Sequence, residues 1–242
     1  MLLLCLPPPA AGGPPYVTDD PEPVDYLHWE VYLATLFAAD GEGWSGTAPH
    51  VEVNFGAAPN LQLHVIAPLM LDAPEHGHWH YGYGDTELGA KYRFVEESTW
   101  RPQVGTFPLV EVPTAYPDRD LGAGHVQLFM PLWLQKSVGP WTTYGGGGYW
   151  INPGAGNHDW LFIGWLLQRQ VTDQLSLGAE IFHDTVSEVG GAADTRFNVG
   201  MVFDLSQLQH VLLSAGRGIV GSDQFQGYLA YQLTFGPGGP GD

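Results

Sequence analysis

Apolar and polar residues alternate with a period of two along most of this chain. Leu27, Trp29, Val31, Leu33, Thr35 and Phe37 interleave with His28, Glu30, Tyr32 and Ala34. The pattern recurs at 51–55, 61–65 and 86–94, and in the second half at 126–134, 175–181, 197–205 and 225–235. Successive side chains on a strand point to opposite faces, so each stretch reads as a strand with one apolar face. Less regular strands fit at 103–112, 141–151, 160–170 and 210–217. The total is about twelve strands of about ten residues each. No stretch sustains apolar spacings of three and four over three turns behind a capping residue, so no helix is predicted.

The connections alternate in character. Short turns fall at 57–60, 137–140, 171–174 and 206–209, with a slightly longer one at 96–101. Longer Gly- and Asp-rich segments fall at 38–46, 72–82, 113–124, 152–159, 186–194 and 218–224. An up-and-down meander with one plain rim and one elaborate rim gives this order.

Alternation alone leaves open whether the apolar faces meet in a core or face lipid. Eight strands close into a barrel that side chains just fill, and twelve leave an interior too wide for an apolar filling. A soluble closed barrel is therefore disfavoured, while a two-sheet sandwich could still bury the same faces. The polar face decides between them. It mixes Glu30, Glu52, His64, Glu87, Lys91, Arg93, Glu111, Glu180, Arg196 and Asp204 with Gln, Asn, Tyr and Gly, as a crowded polar lumen does. Ten tilted residues cross a hydrocarbon layer of about 25–30 Å, and aromatics collect at its two interfaces. Trp29, Phe37, Phe55, Tyr92, Phe94, Tyr231 and Phe235 stand near strand ends. The predicted fold is all-β: a transmembrane antiparallel up-and-down β-barrel of about twelve strands with those ten residues lining its lumen.

Composition changes the picture in two places. The 242 residues carry a formal charge of −18 but only 14% charged residues, against about 25% in a typical soluble domain. Lys and Arg number eight, which excludes a basic nucleic-acid footprint. The only cysteine is Cys5, so no internal disulfide forms. Residues 1–15 read either as the remnant of a signal peptide or as a disordered Pro-rich leader. The barrel is expected over 16–236 and a flexible tail over 237–242.

Four stretches carry a family resemblance: "VTDDPEPV", "GDTELGAKYRF", "HVLLSAGRG" and "GYLAYQLTF". Together they resemble the family named for the meta-pathway of phenol degradation, over roughly residues 16–235. The resemblance implies a Gram-negative outer-membrane transporter barrel moving small hydrophobic or aromatic compounds. The closing strand also resembles the terminal strand that barrel-assembly machinery recognises, apart from the tail "GPGGPGD". The expected partners are outer-membrane lipid, a small-molecule solute and that machinery.

Three sets of residues are candidates for chemistry. His76, His78 and His80, with Asp72 and Glu75 nearby, present imidazoles suited to Zn²⁺, Cu²⁺ or Ni²⁺; the plain alternative is a polar outer loop. Glu87, Lys91 and Arg93 form either a charge-selective constriction or a salt-bridged plug. Catalysis is not expected: no serine lies in a Gly-x-Ser-x-Gly motif, and nothing in the sequence brings Ser176 or Ser214 to His183 or His210. The "GGGG" at 145–148 lacks the Lys-Ser/Thr of a phosphate loop and reads as a place of close strand packing. No cofactor is implied. The expected function is passive passage of small, hydrophobic or aromatic molecules. The alternative is a non-transporting surface barrel with acidic, metal-binding loops.

Overall fold

The computed structural model describes residues 13–41, 43–116, 121–221 and 223–237. It contains fourteen strand segments and, among the described residues, no helix. They are β1 (Trp29–Asp40), β2 (Gly43–Ala58), β3 (Leu61–Pro74), β4 (His80–Tyr83), β5 (Thr86–Val95), β6 (Gln103–Thr106) and β7 (Leu109–Val112). The second half supplies β8 (Gln127–Val138), β9 (Trp141–Ile151), β10 (Trp160–Thr172), β11 (Leu175–Asp184), β12 (Asp194–Asp204), β13 (Gln209–Val220) and β14 (Phe225–Phe235).

All pairings are antiparallel, and the sheet closes on itself. β1 pairs with both β2 and β14, from Trp29↔Phe235 at one rim to Ala39↔Phe225 near the other. β4 and β5 both pair with β3 and are two halves of one wall strand. β6 and β7 both lie between β5 and β8 and are likewise two halves, interrupted at Phe107 and Pro108. Fourteen segments thus make a closed barrel of twelve strands, the fold that the alternation predicts.

Two connections differ from expectation. The loops predicted at 38–46 and 72–82 are mostly strand: β1 reaches Asp40, β2 starts at Gly43, β3 runs to Pro74 and β4 resumes at His80. Gly43, Gly46 and Pro49 break the apolar alternation, and a bulge between Thr47 and His50 resets which face each residue takes. A bulge inserts an unpaired residue and shifts the period, so a search for strict alternation loses the strand there. At the other rim Leu27 is not in β1. It adopts a positive φ of 65°, and its N–H donates to the Gly56 carbonyl at 2.7 Å.

The outer face is apolar from rim to rim. Leu33, Leu88, Met130, Ile163, Trp165 and Leu229 are about half exposed on it. Aromatics mark its edges: Trp29 stacks on Phe55 at 4.2 Å at the short-turn rim, and Phe37 packs against Phe225 at 5.9 Å near the other. An exterior of this kind needs lipid, which gives a direct check. Leu167 sits in the middle of β10 on the outer face. Leu167→Arg is expected to destabilise the barrel in bilayers by about 2–4 kcal/mol, and Thr172→Arg at the rim by only about 0–1 kcal/mol. Denaturant unfolding in lipid vesicles measures both.

Candidate functional site

The lumen contains a piece of the chain itself. Residues 13–28 precede β1 and cross the barrel interior near the short-turn rim, touching strands on opposite sides of the ring. Ser214 of β13 donates to the Pro15 carbonyl at 2.5 Å. The N–H groups of Val17 and Thr18 donate to the two carboxylate oxygens of Glu180 on β11, at 2.9 and 2.8 Å. On the far side Lys91 of β5 donates to Asp19 at 2.9 Å, with Asp20 at 3.6 Å. Gln103 of β6 and Gln135 of β8 both donate to Glu22, at 3.1 and 2.9 Å. The N–H of Val24 donates to Gln62 of β3 at 2.9 Å. Thr18 and Asp20 are fully buried.

The wall is shaped to receive this segment. A Cβ at Gly178 would lie 2.4 Å from the Tyr16 hydroxyl oxygen, and one at Gly164 would lie 2.3 Å from Thr18 Oγ1. A larger residue at either position forces the segment off the wall.

Charge explains how the segment is held. Asp19, Asp20 and Glu22 bring three carboxyls to two cations, Lys91 and Arg93, with Arg93 3.8 Å from Glu22. Burial, helped by the neighbouring Asp19 and Glu22 carboxylates and opposed by Lys91, pushes the Asp20 carboxyl up to about 8. Its Oδ2 has no hydrogen-bond partner among the described residues. A proton on Asp20 balances the cluster at two charges of each sign.

This sets a pH dependence. Docking raises the Asp20 pKa above its free value, so docking is fully supported below about 4 and weakens as pH rises through about 8. Exchange of the Val17 and Thr18 amide hydrogens, corrected for intrinsic pH dependence, is expected to accelerate from pH 6 to pH 9. In an Asp20→Asn variant that excess acceleration is expected to disappear.

The structure places the ten sequence-predicted polar residues in several separate groups on the inner wall. Glu52, His64 and Glu87 form one, in which the His64 ring nitrogens face Asn54 Oδ1 at 2.6 Å and Glu87 Oε1 at 2.8 Å, and Asn54 donates to Glu52 at 2.8 Å. Glu111 lies opposite Glu87 in the ladder, and Glu30 accepts from the Tyr32 hydroxyl at 2.9 Å. Lys91, Arg93 and Glu180 hold the crossing segment, and Arg93 also donates to Asn60 and Gln103. Arg196 contacts Asp184 and Asp194, and Asp204 meets His210 at 2.6 Å. Lys91 and Arg93 therefore both reach carboxylates of the crossing segment.

The histidines do not converge. His76 and His78 are exposed in the β3–β4 turn, and His80 begins β4. Among the described residues, no group of three or more His, Cys, Asp or Glu side chains could hold a metal ion. The "GGGG" run lies in β9, where a Cβ at Gly148 would meet the Phe129 ring at 2.4 Å. This is close packing.

Sequence reasoning overlooked an aromatic row on the inner wall. Trp160 stacks on Trp150 at 5.4 Å near the long rim, and Trp150 stacks on Phe129 at 4.8 Å. Phe129 and Trp133 then pack against Phe162, which stacks on Phe182 at 6.0 Å. Phe107 joins the same cluster. Two cations stand over rings of the cluster: Lys91 over Phe107 at 5.0 Å and Arg196 over Phe182 at 4.9 Å. Trp133 Nε1 is buried with no acceptor among the described residues. The signal was present in β10, "WLFIGWLL", which is apolar at both parities. In a barrel with a polar lumen, a strand apolar on both faces marks an apolar patch inside.

No protein-family model matches the chain, and no curated protein matches it. Solved structures do. An outer-membrane channel from Pseudomonas putida F1 is similar over 88% of this chain and 99% of its own, at 16% identity and a TM-score of 0.69. The KdgM porin, solved with disordered oligogalacturonate, is similar over 85% of this chain and 99% of its own, at 9% identity and a TM-score of 0.61. The translocator domain of the autotransporter NalP from Neisseria meningitidis is similar over 86% and 89%, at 12% identity and a TM-score of 0.56. At these identities the likeness is one of fold: this chain folds as an outer-membrane β-barrel.

Proposed function

We propose that the barrel passes small, neutral, mainly aromatic molecules across the outer membrane by diffusion, without covalent chemistry or energy coupling. The aromatic row carries this reading. It starts at the long rim with Trp160 and Trp150, reaches inward through Phe129 to Trp133, and continues around the wall through Phe162 to Phe182. Stacked rings offer an apolar molecule successive contacts of similar strength, each favourable by roughly 0.5–1.5 kcal/mol beyond area burial. Binding at every step is then strong enough to draw the molecule in and weak enough to release it. The unpartnered Trp133 Nε1 suits a cargo bearing one hydrogen-bond acceptor.

Two further observations support it. The crossing segment obstructs the wide aqueous path that a general porin needs. The four stretches that resemble the phenol-degradation family imply hydrophobic or aromatic cargo, and the fold agrees with a membrane channel.

The experiment is uptake of 1-N-phenylnaphthylamine, a neutral aromatic fluorophore, by intact Gram-negative cells. Cells producing the protein are expected to take it up faster than cells without it, and a neutral disaccharide is expected to gain little. Equal rates of fluorophore uptake in both cells would remove the proposal.

A further inference from the structure

We infer that Trp133, Gln135 and Tyr144 build a binding subsite, at the inner end of the aromatic row, for an uncharged primary carboxamide carried on an aromatic ring. The inference rests on the passage of aromatic molecules proposed above and names the polar group that such a cargo bears.

The first observation is a set of buried polar atoms with nothing to bond. Trp133, Gln135 and Tyr144 are 2%, 3% and 1% exposed. Among the described residues, Trp133 Nε1, Gln135 Oε1 and the Tyr144 hydroxyl have no hydrogen-bond partner. Nearly all buried polar atoms of folded proteins are partnered, so each exception calls for a cause. Three exceptions in one patch point to a shared partner.

The second is their placement. Trp133 and Gln135 are successive inward residues of β8, and Gln135 stands directly opposite Tyr144 of β9. Residues opposite each other in an antiparallel pair hold their Cβ atoms about 5 Å apart. On one side of the patch lie the rings of the row, with Phe129 and Phe162 centred 6.3 and 6.0 Å from Trp133. On the other side lies the crossing segment, where Tyr16 packs with Tyr144 and Glu22 accepts from Gln135 Nε2 at 2.9 Å.

The third is the balance of donors and acceptors. The indole N–H can only donate. The Gln135 amide is oriented by Glu22: its nitrogen faces the carboxylate, so its oxygen is the free end. The Tyr144 hydroxyl can accept as well as donate. One donor beside two acceptors is the complement of a primary carboxamide, whose carbonyl accepts from Trp133 while its two N–H groups reach Gln135 and Tyr144. A hydroxyl substituent has one hydrogen and fills only one acceptor. A carboxylate has none, and it would also meet the negative charge of Glu22. With the carboxamide in place, the ring of the cargo rests against Phe129 and Phe162. Binding parts Tyr16 from Tyr144, which close over the patch in the structure.

The test is binding to the whole barrel in lipid nanodiscs, titrated by saturation-transfer NMR with empty nanodiscs as the blank. Benzamide is expected to bind roughly tenfold more tightly than acetophenone, which offers the carbonyl without the N–H groups. Benzoate is expected not to bind. Tyr144→Phe removes a hydroxyl that no other residue holds, so the fold is kept. It is expected to weaken benzamide by about threefold and to leave acetophenone unchanged. Trp133→Phe removes the indole N–H and is expected to weaken both by about threefold or more. Benzamide binding no tighter than acetophenone, or Tyr144→Phe leaving the ratio of the two unchanged, would overturn the subsite. Neither result touches the passage proposal, which is decided by uptake of 1-N-phenylnaphthylamine, a molecule without a carboxamide.

Discussion

Deleting residues 13–24 is expected to turn a narrow, obstructed barrel into an open pore, raising single-channel conductance in planar bilayers by roughly threefold or more. A twelve-strand wall is wider than its own side chains can fill, and the crossing segment occupies that surplus. The wall does not depend on it, since β1 pairs with β14 and β2 through its own backbone. The deletion is therefore expected to leave a folded, heat-modifiable barrel.

The groups that held the segment behave differently once it is gone. Lys91 loses Asp19 and Asp20, and Glu180 loses two backbone donors. An unpaired charge in a dry site is costly, but the opened lumen admits water that hydrates both. Disaccharides excluded by the intact protein are expected to enter liposomes carrying the deletion. Unchanged conductance would place the segment outside the conducting path.

The second large effect concerns the rings. Trp133→Leu combined with Phe162→Leu keeps apolar bulk but removes two rings that pack edge-to-face at the centre of the row. Losing about 0.5–1.5 kcal/mol at each, about 1–3 kcal/mol together, amounts to a roughly five- to hundredfold loss of cargo binding, at about 1.4 kcal/mol per decade. Uptake of 1-N-phenylnaphthylamine is expected to fall by about that factor. Ionic conductance is expected to stay the same, because the segment below still sets the aqueous path. The two variants thus separate two routes through one barrel: deletion opens the aqueous one, ring loss closes the apolar one. A fall in both measurements for the ring variant would point to misfolding and not to a lost path.

Strand number and facing were legible because a closed antiparallel wall imposes a single period, and Leu88, Tyr92 and Phe94 keep it without a break. The bulge at Thr47 to His50 hid the outer half of β2, since one extra residue inverts every face beyond it. The crossing segment was invisible for another reason. "YVTDDPEPV" has no period, and its structure comes from Glu180, Lys91 and Gln103, which lie far away in sequence. The histidines misled in the opposite direction: alternate spacing sets three imidazoles on one side only in an extended strand, and His76 and His78 occupy a turn. The aromatic row lay between these cases. Phe129 and Trp133 fall at inward positions by simple counting, but their meeting with Phe107 and Phe182 depends on which strands are neighbours around the ring.

The two-sided apolar character of β10 reaches beyond the folded barrel. From Trp160 to Leu167 the chain has no charge, no proline and a single glycine, a composition that self-associates readily as extended β-structure. Closed in the wall, one side meets lipid and the other lines the row. Before closure both sides are open to water, and nothing within the run keeps two such chains apart. The stretch that makes the interior hospitable to apolar molecules is therefore also the stretch that limits how long the unfolded chain stays soluble.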